Sequence, residues 1–237
     1  SCRRGGNPPP PIRYLFPFPE PSDIRKHAAA MLLAQIIKEP AFTQLRTQEQ
    51  LGYIVHSGVQ NRGIGQYLDG FYFSIVSKTH APPQLVDRVR EFLASFRGTL
   101  ADMPSETFSK HRDALSEKLR EPPKTLGEES SRHWREIEES TLLWDRYKDL
   151  VDCVQQVTHE DILRQYDVAF GQGESGKASH GHIAVLVTSH VHLQTSISDI
   201  DMPNSSILVK EEDILSLRRT LPLNGAGASP FSVVLLP

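Results

Sequence analysis

Prolines at positions 40, 82, 83, 104, 122 and 123 divide the middle of the chain into segments that cannot be one continuous helix. Proline fixes φ and donates no backbone N–H, so a helix accepts it in its first turn and resists it in its interior. Pro82–Pro83 therefore opens a helix to about Leu100, with Val86, Val89, Leu93, Phe96 and Leu100 on its inner face. Pro104 opens another to about Arg120, and Pro122–Pro123 ends it. By the same rule Pro40 starts a short helix holding Phe42 and Leu45, after a longer one capped by Ser22–Asp23 and running to about Ile37. Two more helices are expected near Leu126 to Ser140 and over Thr158 to Phe170, where Thr158 and Asp161 are spaced as a reciprocal cap.

Strand patterning flanks these helices. Ile12–Phe18 is aromatic and branched, although Pro17 pushes it toward an edge or a strand end. Tyr53–Gly58 and Tyr67–Ser77 read as an antiparallel pair, since Phe71, Phe73 and Ile75 alternate with polar or small residues and Asn61–Gly65 supplies the connection. Ile183–Thr188 is a further apolar strand, followed by a polar, helix-poor tail. The order predicts an α+β fold, a mostly antiparallel sheet with helices on one face. Residues 1–11 are expected to form a proline-rich lead-in, 12–192 the domain, and 193–237 a tail packing on it.

Lys and Arg number 26 and Asp and Glu 29, spread along the chain, so no basic field suits nucleic acid. Cys2 and Cys153 give neither a disulfide framework nor a zinc spacing, which fits a reducing compartment. With no membrane-length apolar run, the expectation is a cytoplasmic protein with no membrane partner.

The densest cluster of metal-capable side chains is Ser179–His192, in which His180/His182 and His190/His192 bracket a strand. Eight residues of extended chain, about 26 Å at roughly 3.3 Å per residue, hold the pairs apart. They read as exposed strand-end histidines rather than one metal site. A zinc peptidase helix needs two histidines a turn apart with a glutamate, as in His-Glu-x-x-His or His-x-x-Glu-His. Neither occurs; His133 with Glu136, and His159 with Glu160, each lack the second histidine. There remain Arg46 and Tyr53, either side of a polar turn. A guanidinium fork and a phenolic hydroxyl can hold a carbonyl and stabilise a developing oxyanion. The plainer alternative pairs Arg46 with Glu49 and leaves Tyr53 packed on the sheet.

Glu39–Tyr53, reading EPAFTQLRTQEQLGY, closely resembles the insulin-degrading enzyme family, the inverted zincins that include pitrilysin, in its last homologous domain. The resemblance continues through Phe92–Leu93, Met103–Leu115, Lys124, Trp134, Glu136–Ile137, Thr158–Ile162, the strand at 183–188 and Arg218–Leu223. Such enzymes have four similar α+β domains, paired into two bowl-like halves around a peptide, with zinc held by the first. The resemblance implies that this chain is the fourth domain and that Arg46 and Tyr53 are secondary catalytic groups. It implies zinc held by an N-terminal domain, a peptide substrate and that N-terminal half as partners, and no activity alone. Val59–Gln66 departs from the family pattern, so no contact is carried over from it. The rival expectation is a non-catalytic binding or assembly protein that keeps the fold, as relatives in mitochondrial processing and respiratory complexes do.

Overall fold

The computed structural model describes residues 11–17, 23–61, 69–138 and 141–171, and the strands at 182–186, 206–210 and 232–236. Strand β1 (Pro11–Pro17) lies inside a six-stranded sheet, between β3 (Asp69–Val76) and β4 (His182–Leu186). Beyond β3 lies β2 (Ile54–Asn61) at one edge; beyond β4 lie β6 (Ser232–Leu236) and, at the other edge, β5 (Ser206–Lys210). Pro17 sits at the end of β1, where its missing N–H interrupts the ladder least.

Pleating sorts side chains by parity. Ile12, Tyr14 and Phe16 of β1, and Phe71, Phe73 and Ile75 of β3, are buried on one face. Ile12 lies opposite Ile75, Tyr14 opposite Phe73 and Phe16 opposite Phe71, so a one-residue slip would turn the whole apolar set outward. On the outer face the Arg13 guanidinium lies over the Tyr72 ring at 4.7 Å.

Helix α1 (Ile24–Ala41) covers the apolar face with Ala28, Leu32, Leu33, Ile36 and Ile37, its first turn capped by the Asp23 carboxylate accepting from Lys26 N–H at 2.8 Å. Against it pack α3 (Ser105–Arg120), α5 (Arg146–Gln156) and α6 (His159–Phe170), while α2 (Pro82–Ala101) packs on α6 and β1. Aromatic edges knit helices to sheet: Phe170 meets Phe16 at 5.0 Å and Phe71 at 5.2 Å between centroids. Two buried tyrosines find partners, Tyr14 accepting from Arg90 Nε at 3.0 Å and Tyr166 donating to the Leu93 carbonyl. Burial pushes the Tyr14 hydroxyl up to about 12. The fold is α+β, as expected.

Three expectations change. Pro40 does not start a helix: α1 runs through it to Ala41 and passes directly into a π-helical turn, Phe42–Gln48. Without an N–H at position 40 the regular bond to the Ile36 carbonyl is lost, and the chain widens just beyond. A separate helix, α5, fills the stretch before Thr158; it is short, Asp145 provides no side-chain cap, and only Leu150, Val151 and Val154 mark its inner face. The tail contributes β5 and β6, which pair with each other in parallel, and β6 also pairs in parallel with β4, so three of the five pairings are antiparallel. Five-residue runs such as Ser206–Lys210 lack the alternation that marks a half-exposed strand.

Helix α4 (Leu126–Glu138) is largely exposed, and its one buried residue is acidic. The Glu136 carboxylate accepts from Arg146 Nη2 at 2.9 Å, Thr141 Oγ1 at 2.6 Å and Leu143 N–H at 3.2 Å, fastening α4 and the following loop to α5. Removing one member of a buried pair strands the other charge, at about 3–5 kcal/mol. Glu136→Ala should lower stability by about that amount in denaturant unfolding, whereas a loss under about 1 kcal/mol would mean that the carboxylate does not hold the loop.

Candidate functional site

The π turn is the mount of the site. Glu49 N–H donates to Gln44 O at 2.9 Å and Leu51 N–H to Leu45 O at 3.0 Å, closing the wide turn. Leu45 is fully buried beneath it, which leaves Arg46 on the exposed side. The chain then reverses through Gln50, whose φ of 52° lies in the left-handed region. Gly52 follows, where a Cβ would stand 2.5 Å from the Val76 carbonyl oxygen. Only glycine lets the two backbones approach so closely. Tyr53 N–H then donates to Val76 O at 3.1 Å, which ties the start of β2 to the end of β3.

Arg46 and Tyr53 are brought together. Arg46 Nε donates to the Tyr53 carbonyl at 3.3 Å, and its guanidinium lies 5.1 Å from the Phe42 ring centroid. Tyr53 is 47% exposed, with Lys78 Nζ 5.6 Å from its ring centroid. Arg46, Thr47, Gln50, Gly52 and Tyr53 line an open depression of about 430 Å³. Its chemistry is that of a donor surface, fit to hold carbonyl or carboxylate oxygens.

Glu49 is not the partner of Arg46. Arg88 of α2 grips it in a bidentate pair, Nε to Oε2 and Nη2 to Oε1, both at 2.8 Å, while Gln44 Nε2 donates to Oε1 at 3.0 Å. The Arg88 contact holds the Glu49 carboxyl below its usual range, and the carboxylate in turn raises Arg88. Thus the loop carrying Arg46 is pinned to α2, and the Arg46 fork is left facing the depression. Sequence reasoning missed Arg88 because it stands 39 residues away, with no local pattern to mark it.

Among the described residues the histidines do not assemble a centre. His133 lies 5.8 Å from the Trp144 ring, and its neighbour Glu136 is held by Arg146. His159 Nε2 is 2.7 Å from Leu100 O, with its ring beside Phe108. His180, His190 and His192 lie outside the described residues, as does the side chain of His182. Among the described residues, no group of three or more His, Cys, Asp or Glu side chains could hold a metal, and no helix is long and apolar enough to cross a membrane.

Residues 32–134, which contain the site, match the family model described as "PQQ synthase PqqF-like, C-terminal lobe domain 4". "Insulin-degrading enzyme-like 1, peroxisomal" of Arabidopsis thaliana is 32% identical over 205 residues, covering 86% of this chain and 20% of that protein. The chain belongs to the insulin-degrading enzyme and pitrilysin family, as a C-terminal domain. "Insulin-degrading enzyme" of Homo sapiens is 39% identical over 135 residues, 57% of this chain and 13% of the relative. The crystal structure of pitrilysin shares the fold at a TM-score of 0.71 and 22% identity, covering 92% of this domain and 22% of that chain. This pitrilysin-family domain thus spans about a fifth or less of the length of these relatives.

Two outcomes test the mount. Gly52→Ala should destabilise the domain by about 1–3 kcal/mol in chemical unfolding, because the new methyl meets backbone. The depressed Glu49 carboxyl contributes stability that is complete above the unfolded value of about 4.3 and is lost as pH falls through the lower folded value. A melting-temperature profile over acidic pH should therefore steepen below about pH 4 in the parent and less so in Glu49→Gln.

Proposed function

We propose that this domain is the C-terminal, substrate-binding half-domain of an insulin-degrading-type zinc metalloendopeptidase. It receives peptide at the Arg46–Tyr53 depression and lends two hydrogen-bond donors to a reaction centre carried by another part of a longer protein. The observation that carries this reading is the shared mount: Arg46 is bonded to the backbone of Tyr53, and both side chains open on one depression.

Neither residue fits a metal. A guanidinium offers no lone pair, and among the described residues no donor set accompanies the Tyr53 phenol. Zinc therefore belongs, on this proposal, to an N-terminal half. What Arg46 and Tyr53 can do is bind and orient. The arginine fork holds a peptide carbonyl at fixed direction, and the phenolic O–H donates toward an oxygen that gains negative charge as the amide bond is broken. Both donors are fixed beforehand by the π turn and by the Gly52 crossing, so little reorganisation accompanies the charge shift. Neither removes a proton.

The test combines the chain with a separately produced, zinc-bearing N-terminal half and follows cleavage of a fluorogenic peptide. Loss of one such donor lowers turnover by about 10²–10³-fold, so Arg46→Ala and Tyr53→Phe should each reduce kcat/KM on that order. Unchanged kcat/KM in both variants would defeat the proposal. The chain on its own should cleave nothing.

A further inference from the structure

One arginine lies across the open face of the sheet. Arg13 of β1 is exposed, on the face opposite Ile12, Tyr14 and Phe16, and pairs in register with Ser74 of β3. Its guanidinium lies 4.7 Å from the Tyr72 ring centroid, and Nη2 donates to Gln60 Oε1 of β2. Arg13 and Gln60 thus bridge β3, joining strands that stand two spacings of about 4.8 Å apart. The ring beneath is itself seated. A Cβ at Gly58, which is paired with Tyr72, would stand 3.3 Å from Tyr72 Cε1 and 3.4 Å from its hydroxyl oxygen, so the missing side chain gives the ring its place.

The result is a guanidinium with its direction set and its charge unanswered. Stacking on Tyr72 occupies one face of the fork, and neutral Gln60 takes one of its N–H donors. Among the described residues no carboxylate pairs with Arg13, whereas Arg88, Arg97 and Arg146 each grip one. The remaining donors suit a carboxylate bound by both oxygens. The surface is continuous with the site, since Ile54 and His56, of the same parity as Gly58, are exposed between Tyr53 and the Tyr72 ring. Gly58 and Gln60 stand five and seven residues beyond Tyr53, about 17–23 Å of strand at roughly 3.3 Å per residue.

Resting on the proposed peptide-binding role, we infer that Arg13, seated on Tyr72 and Gln60, is a specificity residue that takes an acidic side chain of the substrate. A peptide lying over the open face from Tyr53 brings an Asp or Glu to it about five to seven residues from the bond to be cleaved. The substrate class is peptides with a carboxylate at that spacing, and a lysine in the same place is rejected by like charge.

Three amidated probes carry a neutral fluorophore and the sequence Ala-Gln-Thr-Ala-Gln-X-Ala-Thr-Gln-Ala-Thr-Gln, with X as Glu, Gln or Lys. Binding to the 237-residue chain is read by fluorescence anisotropy. The Glu probe should bind about fivefold more tightly than the Gln probe, and the Lys probe more weakly than either. Arg13→Gln should make the three equal, and Arg13→Lys should keep only part of the preference, because an ammonium lacks the planar fork. Arg13→Glu should reverse the order of the Glu and Lys probes, which a merely structural loss would not do. Arg46→Ala should leave the Glu-to-Gln ratio near its parent value. Absent or equal binding of the probes by the parent chain, a Glu preference that survives Arg13→Gln, or its loss in Arg46→Ala alone overturns the inference. If Arg46→Ala and Tyr53→Phe leave cleavage unchanged while the preference follows Arg13, the catalytic proposal falls and the carboxylate site stands; the opposite pattern removes the carboxylate site alone.

Discussion

The seam between α1 and the sheet is the contact on which everything else depends. Leu32, Leu33, Ile36 and Ile37 from the helix and Ile12, Tyr14, Phe71, Phe73 and Ile75 from the strands share one core and are almost wholly withdrawn from water. Burying a side chain of this size contributes about 1.5–3 kcal/mol, so the seam outweighs any surface pair in the domain. It fixes the direction of α1 over the sheet, and therefore the place where the π turn must hand the chain on to β2. Arg46 and Tyr53 acquire their positions from that geometry.

Much of this was legible in the residues. The parity of Phe71, Phe73 and Ile75 identified β3 and its buried face, and the prolines at 82, 83 and 104 identified two helix starts, because both signals are local and steric. What failed was also local in appearance and long-range in cause. Pro40 is the same residue type as Pro82, yet its place in a helix is decided by Ala41 and Leu45 being held in the core on the far side. Likewise β5 and β6 are runs of five residues, each dependent on a partner strand, β6 on β4 and β5 on β6. No window of sequence contains that partner.

The site divides the same way. Arg46 and Tyr53 could be named from the segment they share, and so could the alternative that Glu49 neutralises Arg46. The choice between them rests on Arg88, which approaches from another helix and takes both oxygens of Glu49. An arginine close to a carboxylate in sequence is free for other work once a distant arginine has a better hold on that carboxylate.

The π turn carries a consequence of phase. Each residue of an α-helix advances the chain by about 100° around the axis, so the wider turn acts as a one-residue insertion absorbed without a loop. Were Phe42–Gln48 to relax into α-helical register, Arg46 would rotate about the axis by an angle of that order, while Tyr53, tied to Val76, would stay where it is. The aim of the guanidinium is thus an angular setting stored in backbone winding, and a proline at its threshold obstructs unwinding it.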